Sequence, residues 1–248
     1  MKAIKLGKKD VRLPENWQEL TRDQYFMALL LLVRVFGNDM PAAEVEKTFF
    51  SFLIGWNGAD WQKIADEETL QSLETVFAET RKCFSMERLP YTGGMNLMPK
   101  WEGHRGPSDM FGDMKWWMFV KAMALLTAYC ENDDRDAVVE LARVLYRLPE
   151  GKNPDSVLQL QCLILMQSIV WLLNNEPVNI DGKDIDFSII FKGDKVKDDD
   201  GTGMTGVTFA VAESGVFGDY RKVNQTGMWE ILTYLYKCKK NESKNKKS

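Results

Sequence analysis

The stretch from Gly103 to Pro149 constrains the fold more than any other part of the chain. A loop, GHRGPSD, leads into the segment FGDMKWWMFVKAMALLTAYCEN, and a second segment, DRDAVVELARVLYRLPEG, follows almost at once. Apolar residues recur in both segments at helical spacing. In the second segment the apolar stripe consists of Val138, Leu141, Leu145 and Leu148. The pattern predicts a helical hairpin over 112–148 that lies at the centre of a core.

Turn and capping residues mark helix ends in the N-terminal third. Thr21 followed three residues later by Gln24 forms a capping box, which predicts a helix that begins there and ends at Gly37. Pro41 opens a second helix and Gly55 closes it, because proline favours the first helical turn and glycine favours the position after the last one. These signals predict two consecutive helices before residue 56.

Helical periodicity covers most of the remaining sequence, and alternating strand patterns are brief. Further helices are predicted at about 67–84, 155–174, 203–214 and 226–238. Asp181-Gly182 is a hairpin turn signal, with apolar residues on each side. We therefore expect a mainly α fold: an irregular multi-helix bundle with at most a small β-hairpin near 176–192.

Composition changes along the chain suggest four regions. They are an N-terminal helical region (1–87), a long Gly/Pro/Trp loop (88–111), a C-terminal helical region (112–240) and a basic disordered tail (241–248). The two helical regions are also compatible with one continuous domain. The loop is too long for a simple connection within a compact domain, so we expect it to form a short hairpin or a partner-facing surface.

Charge is distributed unevenly along the sequence. Residues 1–12 hold five basic residues against one acidic residue, and residues 237–248 hold six lysines against one glutamate, although the whole chain carries a formal net charge of −4. The body between the ends is therefore acidic, which disfavours sequence-independent DNA binding by the folded part because phosphate contacts require a concentrated basic face. The basic tail is best interpreted as a solvated terminus.

Cysteine usage and hydropathy indicate a cytoplasmic protein that does not span a membrane. The four cysteines show no CxxC spacing, and we interpret them as small buried apolar residues in a reducing compartment: Cys83, Cys130, Cys162 and Cys238. The most apolar run, 157–173, is just under membrane-spanning length and contains several polar side chains. It predicts a buried core helix.

Catalytic and metal-binding patterns are weak throughout. His104, the single histidine, lies in a Gly-Pro loop with Ser108 and Asp109, and residues so close in sequence rarely assemble a triad. The acidic segments 181–186 and 198–203 lack the ligand spacing and closing glutamate of an EF-hand. We therefore expect no enzyme activity, no metal site and no cofactor.

Aromatic residues are the strongest recognition signal. Trp116 and Trp117 are adjacent on the first helix of the hairpin, so they cannot both face the same core, and at least one should meet another element or a partner. Trp101 lies in the long loop. Core packing and partner binding both remain open for these three tryptophans, which are the candidate partner-binding residues.

Several segments in order carry a resemblance to a known family. They are LPENWQELTRDQY, the GPSD loop before a Phe-rich helix, LARVLYR closed by a proline, AESGVFGDYRKV and WEILTYLYKCKK. Together they resemble a family of uncharacterised proteins encoded by phages and prophages of Bacteroidetes. The resemblance implies a helical protein of a virion morphogenesis cluster, similar in character to phage tail-assembly chaperones, and it implies no catalytic residue.

The functional expectation is a non-enzymatic phage morphogenesis protein in the host cytoplasm. Its expected partner is another phage structural or tail protein, bound through apolar helical surface, and the choice between a tail-assembly chaperone and a virion-associated component stays open, as does self-association. The alternative is a nucleic-acid-binding accessory protein that uses the basic termini. A gene position just before a long tape-measure gene would favour the first.

Overall fold

The computed structural model describes residues 1–6, 9–62, 67–191 and 202–245. Helices hold 63% of the described residues, and the strands among them form only small two-stranded sheets, so the mainly α fold class is confirmed. The chain forms two compact units. The first consists of Met1–Thr92 with Asp155–Ile164, and the second of Gly93–Pro154 with Leu165–Ser248.

The first unit combines an antiparallel hairpin with four helices and the start of a fifth. Its elements are β1 (Lys2–Leu6), β2 (Lys9–Leu13), α1 (Arg22–Phe36), α2 (Ala42–Ile54), α3 (Gly58–Gln62), α4 (Glu67–Cys83) and the first half of α7 (Ser156–Asn175). The predicted capping box is confirmed: Thr21 Oγ1 accepts from Gln24 N at 3.2 Å, and Gln24 Oε1 accepts from Thr21 N at 2.9 Å. Gly55 ends α2 with a φ of 67°, a conformation that glycine adopts without strain.

Aromatic rings and one buried polar pair fill the core of the first unit. Trp17 meets Phe84 edge to face at 5.2 Å between ring centroids, and Phe84 meets Phe49 at 5.8 Å. The fully buried Tyr25 donates its hydroxyl hydrogen to Gln161 Oε1 at 2.6 Å. Burial raises the pKa of Tyr25, so this hydroxyl stays protonated and acts as a donor.

The second unit contains the predicted helical hairpin and the C-terminal helices. Its elements are β3 (Lys100–Trp101), β4 (His104–Arg105), α5 (Trp116–Asn132), α6 (Arg135–Tyr146), the second half of α7, β5 (Val178–Ile180), β6 (Lys183–Ile185), α8 (Ser188–Phe191), α9 (Gly203–Glu213), α10 (Tyr220–Gln225) and α11 (Met228–Asn245). Helix α5 packs on α6, α10 and α11, and α10 packs on α9. Helix α5 is therefore in contact with several other helices of its unit.

The apolar stripe of α6 faces inward as expected. Val138, Leu141 and Leu145 are buried, and Leu148, which follows the end of the helix, is half-buried. Among the described residues, α7 is the one helix with the length and hydropathy of a membrane span, with a mean hydropathy of 1.8. However, 72% of that window is buried inside the protein, as in the core helix that the sequence predicted.

Several details differ from the sequence-based expectations. The hairpin near 176–192 is present as β5 and β6, and the long loop contains the hairpin β3–β4, one of the two forms expected for it, but a further hairpin, β1–β2, occurs at the N-terminus. Helix α11 continues through Asn245, into the tail that was expected to be disordered from residue 241. Cys162 is buried and Cys238 is half-buried, but Cys83 and Cys130 are exposed, so the expected burial is wrong for these last two, which lie on the outer faces of their helices.

Candidate functional site

The helical hairpin of the second unit is held at both of its ends. At the turn, Asp133 closes α5 in the left-handed conformation, and Asp134 caps α6 by accepting from Ala137 N at 3.1 Å. At the other end, Trp116 N donates to Thr226 O at 2.9 Å, which ties the start of α5 to the residues that precede α11. These bonds fix the rotation of α5 and therefore the direction of its side chains.

Trp116 points into the core. Its side chain is 0% exposed, and its indole Nε1 donates to Thr208 Oγ1 of α9 at 2.9 Å. Its ring lies 5.7 Å from that of Phe119. The buried N–H thus has the hydrogen-bond partner that a buried tryptophan requires. As a buried side chain, Trp116 offers no apolar anchor to a partner at the surface.

Trp117 points outward. One residue along an α-helix corresponds to a rotation of about 100°, so burial of Trp116 turns its neighbour away from the same core. The side chain of Trp117 is 39% exposed, and no hydrogen bond of its indole nitrogen exists within the described part of the chain. Of the two adjacent tryptophans, Trp117 is the one available to a partner.

Two open grooves flank Trp117, and both also include Lys121, one helical turn further along α5. The tryptophan groove, with a volume of about 480 Å³, runs towards α9 and α10. Its lining includes Trp117, Lys121, Thr205, Tyr220, Asn224 and Gln225. The arginine groove, with a volume of about 600 Å³, runs towards α6. Its lining includes Trp117, Lys121, Glu140, Arg143, Arg147 and Glu150.

A stacked aromatic pair extends the wall of the tryptophan groove. Tyr220 lies against Phe209 with 4.8 Å between ring centroids and 26° between ring planes. Both side chains are exposed, Phe209 by 51%. Asp219 positions Tyr220 at the start of α10, since its carboxylate accepts from Lys222 N at 3.0 Å. Trp117 and Tyr220 line the same groove and Phe209 stacks on Tyr220, so we call these three side chains, which lie on three different helices, the row of exposed aromatic side chains.

Helix α10 and the aromatic residues Phe209 and Tyr220 were not predicted from the sequence. The predicted helices at 203–214 and 226–238 left the residues between them without a helix, although Asp219 is a residue type that commonly caps a helix start and could have identified α10. The pairing of Phe209 with Tyr220 depends on the packing of α9 against α10, for which the local sequence carries no signal.

Most charges of the arginine groove are paired within the protein. Arg143 forms an ion pair with Glu140, and Arg147 Nη2 lies 3.2 Å from Asp113 Oδ2. Burial alone would raise the pKa of Asp113, but hydrogen bonds from Ser108 and Arg147 outweigh that effect and lower it. Lys121, by contrast, has no ion pair or hydrogen bond within the described residues. It is an unneutralised cation at the junction of the two grooves.

Trp101 lies in the β3–β4 hairpin and is only 9% exposed. Lys152 Nζ lies 5.2 Å from the centroid of its ring and also 2.6 Å from Glu102 Oε2, so one lysine covers this tryptophan and pairs with the hairpin turn. The ring of His104 is 6.5 Å away from that of Trp101 on the other strand. Trp101 is therefore already in contact with side chains of its own unit, and it does not join the row of exposed aromatic residues.

The GPSD loop serves the structure of the second unit. Ser108 Oγ accepts from Asp113 N at 3.0 Å, and Asp113 Oδ1 accepts from Ser108 N at 2.7 Å. Asp109 Oδ1 accepts from Asn96 N at 2.8 Å. The two side chains that were considered beside His104 for catalysis are thus engaged in closing this loop.

The acidic segments have separate outcomes. Residues 181–186 form the turn and second strand of the β5–β6 hairpin, where Asn179 Nδ2 donates to Asp184 Oδ1 at 2.8 Å. Most of the other segment, 198–203, lies outside the described residues. Within the part of the chain that the structure describes, no group of three or more His, Cys, Asp or Glu side chains is arranged to hold a metal ion.

Comparisons with known protein families, with curated proteins and with solved structures found no match to this chain. The resemblance to a Bacteroidetes phage family stays a prediction from the sequence.

Proposed function

We propose that this chain is a non-enzymatic phage morphogenesis protein that acts by binding another phage structural or tail protein. Its most concrete form is a tail-assembly chaperone for the tape-measure or tail-tube subunit, as the sequence resemblance implies. The observation that carries the proposal is the row of exposed aromatic side chains, Trp117, Tyr220 and Phe209, beside an open groove.

Exposed aromatic side chains of this kind favour protein binding for a physical reason. Tryptophan and tyrosine bury a large area while few rotatable bonds become fixed, and these residue types are enriched among the side chains that dominate interface energies. Trp117 and Tyr220 lie on helices α5 and α10, which pack on each other. Such a rigid support keeps the conformational cost of binding small.

The alternative, a nucleic-acid-binding accessory protein, has less support. Some of the basic residues at the chain ends are already paired: Lys2 Nζ lies 2.5 Å from Glu79 Oε2, and Lys239 Nζ lies 3.3 Å from Glu242 Oε2. Lys240 Nζ lies 5.3 Å from the ring centroid of Tyr236. Paired lysines have less to gain from phosphate contacts, and so we place this function second.

Co-expression with the tape-measure and tail-tube proteins of the encoding phage or prophage, followed by a pull-down, tests the proposal. We expect the full-length chain to capture at least one of them and Trp117→Ala to weaken capture by about tenfold or more. Trp171→Ala is the matched control, since Trp171 is 46% exposed in the same unit but does not line the grooves. Deletion of residues 239–248 should leave capture intact, because this segment contains no large apolar side chain.

Two results would contradict the proposal. One is a full-length chain that captures neither protein. The other is capture that persists in Trp117→Ala but is abolished by deletion of residues 239–248. That result would favour binding through the basic C-terminal end, and with it the nucleic-acid or electrostatic alternative.

A further inference from the structure

We infer that the tryptophan groove takes a peptide segment of the partner that carries a carboxylate close to an apolar side chain. This inference rests on the proposed protein-binding function and specifies the partner's chemistry. The described residues that line the groove all belong to the second unit and come from α5, α9 and α10.

The walls of the groove suit one apolar side chain. Trp117 of α5 and Tyr220 of α10 line the same groove, and Val120 and Ala124 provide apolar surface along α5. Its volume of about 480 Å³ falls in the range of ligand-binding clefts, which is enough for a few side chains of a peptide. An aromatic or aliphatic side chain would bury area here against two rings.

The polar groups of the groove have unused hydrogen-bonding capacity. The hydroxyl of Thr205 and the amide of Gln225 have no side-chain hydrogen bond within the described residues, and the same holds for Trp117 Nε1. Asn224 Nδ2 donates to Tyr220 O at 3.1 Å, which leaves its side-chain oxygen as an acceptor. A peptide backbone, with its regular donors and acceptors, matches such a lining.

Charge complementarity selects an acidic segment. Lys121 is the one charged residue among the described residues that line the tryptophan groove, and its ammonium forms no ion pair with any of the described residues. In the neighbouring groove Glu140 pairs with Arg143 and Asp113 pairs with Arg147, and no carboxylate of the described residues forms an ion pair with Lys121. A carboxylate of the partner would complete the pair, with a larger effect on specificity than on affinity because the site is exposed to solvent.

Selection from an mRNA-displayed library of random dodecapeptides tests this inference and requires no identified partner. Immobilised wild-type protein should enrich sequences in which Asp or Glu lies within a few residues of Phe, Trp or Leu. Lys121→Glu should reverse the charge preference and enrich Lys or Arg in place of the acid. Lys237→Glu is the matched control, since Lys237 is exposed in the same unit but does not line the grooves, and it should select the wild-type sequences.

The most enriched peptide is then synthesised and titrated calorimetrically against each variant. We expect Trp117→Ala to weaken its binding about 30-fold and Lys121→Ala about fivefold, whereas Trp171→Ala leaves it unchanged. Circular dichroism of each variant verifies that it is folded.

The inference is overturned if wild-type protein enriches no sequence or if the enriched sequences lack an acidic residue. It is also overturned if the affinity of the enriched peptides is unchanged by Trp117→Ala and Lys121→Glu. In the last case the protein binds peptides at another surface. The proposed function is then still decided by the pull-down with the phage proteins, so the two failures are distinguishable.

Discussion

The hydrogen bond between Trp116 and Thr208 ties α9 to α5, and a double-mutant cycle of Trp116→Phe and Thr208→Val measures it. Thr208→Val keeps the side-chain shape but leaves the buried indole N–H without its acceptor, which costs about 1–3 kcal/mol. Trp116→Phe removes the donor and leaves a smaller ring in a fully buried site, which should lower the free energy of unfolding by about 2 kcal/mol. Thr208 retains its other bond, to Met204 O at 3.0 Å, so its hydroxyl is not orphaned in that variant.

The double variant should lose free energy of unfolding that is about 1 kcal/mol smaller than the sum of the losses of the two single variants. The reason is that either single substitution already removes the hydrogen bond. Urea unfolding followed by far-UV circular dichroism gives each free energy of unfolding, with separate transitions fitted if the two units unfold independently. Thr205→Val is the control: it changes an exposed threonine of the same helix and should alter stability by less than about 0.5 kcal/mol.

Additive losses within about 0.3 kcal/mol, or a Thr208→Val variant as stable as the control, would refute the reasoning. Either result would mean that the hydrogen bond does not couple α9 to α5 in solution. The tryptophan groove would then lose one of the contacts that hold its two sides together.

Three further predictions concern the cores and the loop. Leu145→Asp should unfold the second unit because an unpaired carboxylate at a fully buried site costs several kcal/mol, whereas the half-buried Leu148→Asp should remain folded by circular dichroism. Tyr25→Phe should lower the free energy of unfolding by about 1 kcal/mol in urea titrations, since the buried hydrogen bond from the Tyr25 hydroxyl to Gln161 Oε1 is lost. The lowered pKa of Asp113 adds stability above the ordinary aspartate pKa that is lost as pH falls through the folded value, so Asp113→Asn should flatten the acid limb of a stability–pH curve.

The helix ends that were correctly predicted are those fixed by local interactions. The capping box of Thr21 and Gln24 and the left-handed Gly55 each involve residues within one turn of the chain, so the sequence pattern contains the whole interaction. The stripe on α6 was also predictable, because one face of that helix is apolar and the other is charged.

The elements that were missed depend on distant contacts. The N-terminal hairpin buries Val11 and Leu13, and β2 packs on α2. Its stability therefore comes from tertiary packing, which its basic local sequence does not predict. Trp101 is a second residue whose environment depends on a distant contact. Its place in a Gly/Pro-rich loop left core packing and partner binding both open, and Lys152, about fifty residues later, covers its ring.

The two adjacent tryptophans show where sequence reasoning about the site ends. Helix geometry dictates that they point in different directions, but α5 is apolar around much of its circumference, and so its periodicity does not reveal which tryptophan is buried. The hydrogen-bond requirement of the indole N–H determines which tryptophan is buried. A buried tryptophan needs an acceptor, and Thr208 provides one to Trp116. That acceptor is 92 residues away in sequence and reaches α5 only through the packing of α9. The hydrogen bond from Trp116 to Thr208 keeps Trp116 in the core and thereby leaves Trp117, on which the proposed function depends, at the surface.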